Sequence, residues 1–172
     1  MIKNFSEFMQ LAEEQSPCVQ AFLEKHSLRD YAAADHICYK CSLGKYEFFR
    51  ELLEAKNVGI YSFQEWISGR RIAYVKLHKP LIVGTYGFKF VELSEYSPLK
   101  KYDEFGFHHV EIYPVAPTRD YEHLCEILRR GGETLVLKER PHHTTHDITL
   151  QNGFVVRLTR EALIKKISRE IS

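Results

Sequence analysis

The sequence lacks both a long apolar run and an excess of charge of either sign. Its 24 Lys and Arg residues nearly balance 23 Asp and Glu residues, which gives a formal net charge of +1. It therefore lacks the clustered basic excess that nucleic-acid binding requires. No stretch approaches the roughly 18 consecutive apolar residues of a membrane helix, and the N-terminus MIKNFSEFMQLAEEQ lacks a signal-peptide core. We expect a cytoplasmic protein that binds neither nucleic acid nor a membrane.

Cysteine is also scarce. The four cysteines would be reduced thiols in the cytoplasm. Cys38 and Cys41 form a Cys-x-x-Cys, a spacing found in redox sites and in zinc sites. However, no second pair completes a zinc site, and within a strand this odd spacing places the two sulfurs on opposite faces. The pattern therefore favours small buried residues over redox or zinc chemistry.

The order of the predicted elements repeats along the chain. Residues 1–32 form a helical extension whose apolar spacing is interrupted at Ser16-Pro17. A strand, a helix and three strands follow in residues 33–95, and the same order returns in residues 105–160. A helix over 160–171 ends the chain. The sequence thus predicts an α+β fold built from two βαβββ units, within a length suited to one domain or two small fused halves.

The stretch FGFHHVEIYP (105–114) places polar side chains in a segment that is otherwise typical of a buried strand. Strand periodicity directs His109 and Glu111 to one face and His108 to the other, toward the helices. An imidazole beside a carboxylate suits a metal site or a proton-transfer site. The same alternation is also typical of a strand with one solvent-exposed face. Both interpretations remain open at this point.

Four motifs carry a resemblance to a known family. In order they are ADHICYKC (34–41), SGRRIAYVKLHKPL (68–81), FVELSE (90–95) and FHHVEIYP (107–114). Together with the two βαβββ units, they resemble the vicinal oxygen chelate superfamily of glyoxalases and extradiol dioxygenases. Within it they are most similar to the YecM-like proteins, which are described as candidate metal-binding proteins. The resemblance covers residues 33–160, so we expect one vicinal-oxygen-chelate-like domain over 33–172.

The resemblance implies a half-open, mixed-sheet cup with a metal ion at its centre. In this superfamily the first and last strands of each unit supply the ligands. Carried over, these positions are His36 and His109 on the first strands and Glu92 on a last strand. The fourth position holds Arg157 in place of the usual glutamate, and a guanidinium cannot bind a metal. Two imidazoles and one carboxylate suit zinc, iron, manganese or nickel.

The remaining site predictions concern the substrate. In the strand 70–83 the even positions would face the cup, and with Arg157 they would surround the metal with cationic groups suited to a small anion. The predicted substrate-binding residues are Arg70, Lys76, His78 and Arg157. A solvated strand face would show the same pattern. Glu111 would be a fourth metal ligand, a residue that contacts and orients a ligand or, as the catalytic residue, a general base. A surface carboxylate with no role in the site is the remaining alternative.

The sequence therefore predicts an enzyme that uses a divalent metal. Its substrate would be a small, anionic, oxygenated metabolite that chelates the metal through two oxygens, and lyase, isomerase and dioxygenase chemistry all suit such a site. The alternative is a protein of the same fold that sequesters a small molecule without catalysis, which the replacement by Arg157 supports. Fold does not decide between these functions. A monomer and a homodimer are both compatible with two units in one chain.

Overall fold

The structure is a computed structural model that describes residues 2–98, 105–115, 120–139 and 144–165. The helices are α1 (Phe5–Glu13), α2 (Ser16–Lys25), α3 (Tyr46–Glu54) and α4 (Tyr121–Arg130). The strands are β1 (Ala32–Lys40), β2 (Gly59–Ile67), β3 (Arg70–Val83), β4 (Tyr86–Ser94), β5 (Gly106–Pro114), β6 (Val136–Glu139), β7 (Thr144–Thr149) and β8 (Val155–Leu158). None of the described helices is long and apolar enough to cross a lipid bilayer.

The described strands form one mixed sheet in the order β2-β3-β4-β1-β5-β8-β7-β6. The first strands of the two units, β1 and β5, pair antiparallel at the centre. Each pairs in parallel with the last strand of its own unit, β1 with β4 and β5 with β8. The two units are therefore arranged in the same way on either side of the β1–β5 pair, which confirms the predicted α+β fold.

The main core lies between one sheet face and the helices. The helices present strongly amphipathic faces to it; α3, for example, buries Tyr46, Phe49 and Leu53. Central-strand residues such as Ile37 and Val110 are fully buried in the same cluster. Because strand side chains alternate, the residues between them project to the opposite face, where the candidate site lies.

The N-terminal extension is fixed to the second unit. Its two helices are separated near Ser16-Pro17, as the sequence predicts, with the proline in the first turn of α2. At the end of α2, Lys25 and His26 contact the Glu133 carboxylate at 2.5 and 2.7 Å. These contacts join the described part of the extension, residues 2–32, to the segment that follows α4.

The C-terminal segment packs on the other sheet face. Leu163 and Ile164 are buried with Ile72 and Tyr74 in a second, smaller cluster. Residues 163–165 are helical. The remainder of the helix predicted over 160–171, from residue 166 onward, lies outside the described residues. The segment thus forms part of the wall around the candidate site.

Two β-bulges interrupt the central β1–β5 ladder. On β1, Asp35 and His36 together lie opposite the single residue Glu111, whereas on β5 His108 has no opposing residue. The flanking register pairs are Ala34–Ile112 and Ile37–Val110 for the first bulge, and Cys38–His109 and Tyr39–Phe107 for the second. A bulge adds one residue to a strand and changes where nearby side chains point. Of the two predicted histidine ligands, His36 therefore lies within the first bulge, and His109 directly follows the bulged residue of β5.

Candidate metal centre

A cavity of about 520 Å³ opens on the sheet face opposite the main core. It corresponds in position to the cup expected from the resemblance, because residues of both units line it. Its polar lining residues include Cys38, Arg70, Tyr74, Glu92, His108, His109, Glu111 and Arg157. Most of these side chains belong to β1, β3, β4, β5 and β8 and are buried, so their charges interact in a medium of low dielectric constant.

The three residues predicted as metal ligands lie together. One nitrogen or oxygen atom from each of His36, Glu92 and His109 lies within 4.8 Å of the other two. All three residues are buried, at 0%, 7% and 2% exposure. They come from β1, β4 and β5, three adjacent strands of the sheet. The sheet order thus brings the three predicted ligands to one point.

His36 provides the test of whether this group fits a metal ion. Its Nδ1 lies 3.3 Å from the Asp35 carboxylate, which also accepts a hydrogen bond of 2.7 Å from the backbone N–H of Leu163. Its Nε2 lies 3.2 Å from Glu92 and 3.7 Å from Glu111 but makes no hydrogen bond of good geometry. A buried polar atom without a hydrogen bond calls for an explanation, and a metal ligand between carboxylates is one. The donor set therefore fits a divalent ion.

Charge in the cavity controls the protonation of His36 and Glu92. Burial opposes the charged form of the His36 imidazole, but the Glu111 charge and the contacts with Asp35 and Glu92 raise its pKa to about 10. Burial likewise opposes ionisation of Glu92, yet His36 and Arg157 hold the pKa of that carboxyl well below its usual range. Without a metal, a protonated imidazole thus lies beside an ionised carboxylate.

Two further side chains orient the Glu92 carboxylate. The Cys38 thiol donates to Oε1 at 3.1 Å, and the Tyr74 hydroxyl donates to Oε2 at 3.3 Å. Burial and the Glu92 charge raise the pKa of both donors well above their ordinary values. Both groups therefore stay protonated and remain hydrogen-bond donors at neutral pH.

Arg157 occupies the side of the cavity next to His109. Its Nη1 lies 2.6 Å from Nε2 of His109. Its Nε and Nη2 donate to the two oxygens of Asp147 at 2.8 and 3.1 Å, an arrangement in which both side chains are largely buried. The other ring nitrogen of His109, Nδ1, lies 3.0 Å from Nδ1 of His108. Arg157 is thus held rigidly against a predicted ligand.

Glu111 enters the same cluster from β5. Its side chain is 1% exposed, and its Oε2 lies 3.7 Å from Nε2 of His36. One atom each from Asp35, His36 and Glu111 also lie within 4.8 Å of one another. The structure therefore places the predicted catalytic residue beside the predicted ligands, where it contributes negative charge to the cavity.

Three sequence-based placements need correction. His108 was expected to face the helices, but it lines the cavity because the bulge in β5 shifts the alternation at this residue. Lys76 and His78 do not line the cavity and are exposed, and the His78 ring instead contacts the backbone oxygen of Lys56 at 3.1 Å. A strand advances about 7 Å per two residues, so these positions of β3 lie beyond the cup. Arg70 and Arg157 do line it.

Sequence reasoning missed two residues of the site. Asp35 directly precedes His36, but regular alternation would point it away from the imidazole, and no pattern in the sequence indicates the bulge. Asp147 lies opposite Arg157 in the β7–β8 ladder. Only the register of that pair, which the sequence does not reveal, indicates that the two side chains meet.

Comparisons with known structures agree with the fold. The structural-genomics protein EC4020 matches with a TM-score of 0.70 and 23% identity, over 94% of this chain and 91% of that chain. Methylmalonyl-CoA epimerase from Mycobacterium tuberculosis matches with a TM-score of 0.51 and 15% identity, over 78% and 91%. A single-residue variant of Streptomyces coelicolor methylmalonyl-CoA epimerase, in complex with 2-nitronate-propionyl-CoA, matches with a TM-score of 0.52 and 18% identity, over 76% and 97%.

The chain therefore shares its fold with these structures. No curated protein matches the sequence. The family model described as YecM protein matches residues 1–152, nearly the whole chain. With the motifs, the two βαβββ units and the cavity between them, this match shows that the chain belongs to the YecM family.

Proposed function

We propose that this protein is an enzyme that holds a divalent metal ion through His36, Glu92 and His109 and acts on a small, anionic, oxygenated metabolite. The observation that carries this proposal is that one potential ligand atom from each of these three buried residues lies within 4.8 Å of the other two. Two imidazoles and a carboxylate are a common ligand set for catalytic metals that keep positions open for substrate.

The side chains around the ligands have complementary tasks. A divalent ion bound there would act as a Lewis acid toward oxygens of a bound substrate. Asp35 orients His36 through Nδ1, and Cys38 and Tyr74 orient Glu92. Glu111, nearly inaccessible to solvent, is the carboxylate positioned to accept a substrate proton. His36, Glu92, His109 and Glu111 are all buried, which strengthens the electrostatic interactions among them.

An anionic substrate is supported by the cations of the cavity. Arg70, Arg157 and Lys40 all line it, and two of the three are largely buried. Guanidinium groups bind carboxylates and phosphates through paired N–H donors. One structural neighbour, the Streptomyces coelicolor epimerase variant, holds the anionic ligand 2-nitronate-propionyl-CoA. A small oxygenated anion is therefore the substrate class that we propose.

Elemental analysis of protein purified without chelator tests the metal. We expect near-stoichiometric zinc, iron, manganese or nickel in the wild type and its loss in H36A. The matched control is H78A, which removes an exposed histidine outside the cavity and is expected to keep the metal. If the wild type neither retains an ion nor binds Mn, Fe, Ni or Zn in a thermal-shift titration, the proposal is wrong.

A second candidate is sequestration of the same ligand class without turnover. It is supported by Arg157, which stands at the fourth ligand position and contacts His109. Small carboxylates and phosphates that raise the melting temperature of the metal-loaded protein would first be identified. Each would then be incubated in D₂O with wild type and E111Q and examined by NMR. Deuterium uptake or product formation that requires Glu111 supports the enzyme, and binding without either supports sequestration.

A further inference from the structure

The hydrogen bond between Arg157 and His109 fixes the protonation of this imidazole. Arginine has only donors, so the contact of 2.6 Å requires a lone pair on Nε2 of His109. A neutral imidazole carries one lone pair, and its proton is then on Nδ1. That proton is donated to Nδ1 of His108, 3.0 Å away. In this arrangement both nitrogens of His109 are already engaged.

A metal ion at His109 is incompatible with this hydrogen bond, whichever nitrogen binds it. Binding through Nε2 takes the lone pair that Arg157 uses. Binding through Nδ1 moves the proton to Nε2, where it would face another donor. The Nη1 donor of Arg157 therefore loses its acceptor when His109 becomes a ligand, although the guanidinium itself stays buried. A buried donor left without an acceptor is costly, so the guanidinium favours a new acceptor.

Asp147 keeps the released guanidinium in place. It accepts from Nε and Nη2, the side edge of the group, at 2.8 and 3.1 Å. The other edge, formed by Nη1 and Nη2, is the one that loses its hydrogen bond to His109 when the metal binds. Paired N–H donors of this kind match the two oxygens of a carboxylate. Asp147 can therefore retain the guanidinium while its other edge becomes available to another acceptor.

We propose that Arg157 is a carboxylate anchor that metal binding releases from His109, so that metal and a carboxylate ligand bind with positive cooperativity. This inference rests on the proposed metal site and adds the substrate class, a small oxygenated carboxylate. One end of such a ligand meets Arg157 and the other oxygens face the ligand cluster. By linkage, the ligand then raises metal affinity by the same factor as the metal raises ligand affinity.

Calorimetric titration of Zn²⁺ into the metal-free protein, with and without saturating glycolate, tests the coupling. Glycolate is the simplest α-hydroxy carboxylate, and chelation alone gives some coupling in every variant. We expect glycolate to increase zinc affinity in the wild type at least about fivefold more than in R157K, which keeps the charge but lacks the planar pair of donors. The double variant D147N/R157Q removes both members of the buried ion pair together and is expected to behave like R157K.

The outcomes separate this inference from the metal proposal. If the wild type binds zinc but glycolate affects all three proteins equally, Arg157 is not the anchor, and the metal site stands. If the wild type binds no zinc, both proposals fail. A ¹⁵N NMR spectrum of the metal-free wild type gives a further test that needs no variant. Protonation of His109 at Nδ1, with Nε2 as acceptor, agrees with the inference, whereas protonation at Nε2 would overturn it.

Discussion

Arg157 lies in the second unit at the position that Glu92 holds in the first. In the first unit His36 pairs with Phe90, and Glu92 lies two residues after Phe90. In the second unit His109 pairs with Val155, and Arg157 lies two residues after Val155. The same relation makes Glu111 the equivalent of Cys38. The two last-strand positions are therefore equivalent in backbone register but opposite in charge, which places the Arg157 cation beside His109 and the Glu92 carboxylate beside His36.

This arrangement predicts that metal affinity depends on pH through His36. Its pKa is about 10, so near neutral pH the imidazole is protonated and must lose its proton to bind a metal. We expect apparent metal affinity to rise about tenfold per pH unit from pH 6.5 to 8.5, with about one proton released per ion. Calorimetry in buffers of different ionisation enthalpy measures that proton.

The variant E111Q is the control for this pH dependence. Glu111 contributes most among the charges that raise the pKa of His36, so its neutralisation should lower that pKa. Metal affinity stops rising with pH once the pH exceeds the pKa of His36. This plateau should consequently begin at a lower pH in E111Q than in the wild type. A metal affinity that does not change with pH in the wild type would contradict the interpretation that a proton and the metal compete for His36.

How much of the site the sequence predicts depends on backbone regularity. The positions of Glu92 and Arg157 follow from strand alternation because β4 and β8 are regular near these residues. Alternation fails at Asp35 and His108, because each lies in a bulge that the sequence does not indicate. Strand alternation also predicts which face of the sheet a side chain is on, but not whether the cavity extends that far along the strand. For that reason Lys76 was expected to line the cavity, although the cavity ends before this residue.

Thiol reactivity should distinguish Cys18 from the three other cysteines. Burial raises the pKa of Cys38, Cys41 and Cys125, and all three are nearly inaccessible, whereas Cys18 is half-buried. The thiolate is the reactive form. In native protein at pH 8 we expect a disulfide reagent to label Cys18 first and the others only on unfolding. Peptide mapping identifies the labelled residue, and rapid labelling of Cys38 would show that the cavity opens readily to solvent.

Glu133 should stabilise the docking of the N-terminal extension in a pH-dependent way. Burial opposes its ionisation, but Lys25 and His26 hold its pKa below the usual range. A lowered pKa in the folded state stabilises the protein above the unfolded pKa of about 4.3, and this contribution is lost as pH falls through the folded value. We expect E133Q to lower the free energy of unfolding by about 1–2 kcal/mol at pH 7. The difference from wild type should diminish toward pH 3.

Urea denaturation at both pH values measures this effect. The matched control is E126Q, because Glu126 is an exposed residue of α4 that pairs with the exposed Arg130. Exposed pairs contribute about 0–1 kcal/mol, so its effect at pH 7 should be the smaller. Equal destabilisation by E126Q and E133Q would mean that the contacts with α2 contribute nothing specific.

Asp35 should determine metal affinity without contacting the ion. Its carboxylate lies 3.3 Å from Nδ1 of His36 and accepts the backbone N–H of Leu163 at 2.7 Å. Such a carboxylate fixes the ring orientation and increases the basicity of the other nitrogen. We expect D35A to lower metal affinity by about 10–100-fold, measured by calorimetry, and D35N, which keeps an acceptor oxygen, to lose less.

Two substitutions at Leu163 separate the side-chain packing of the C-terminal segment from its backbone hydrogen bond to Asp35. L163A removes side-chain packing against Ile72 and Tyr74 but keeps the backbone N–H that Asp35 accepts. L163P also removes that N–H, and proline is compatible with the first turn of a helix. If the segment orients His36 through Asp35, metal affinity should fall further in L163P than in L163A, while melting temperatures of the metal-free variants stay similar. Identical affinities in the two variants would show that Asp35 positions His36 without help from the C-terminal segment.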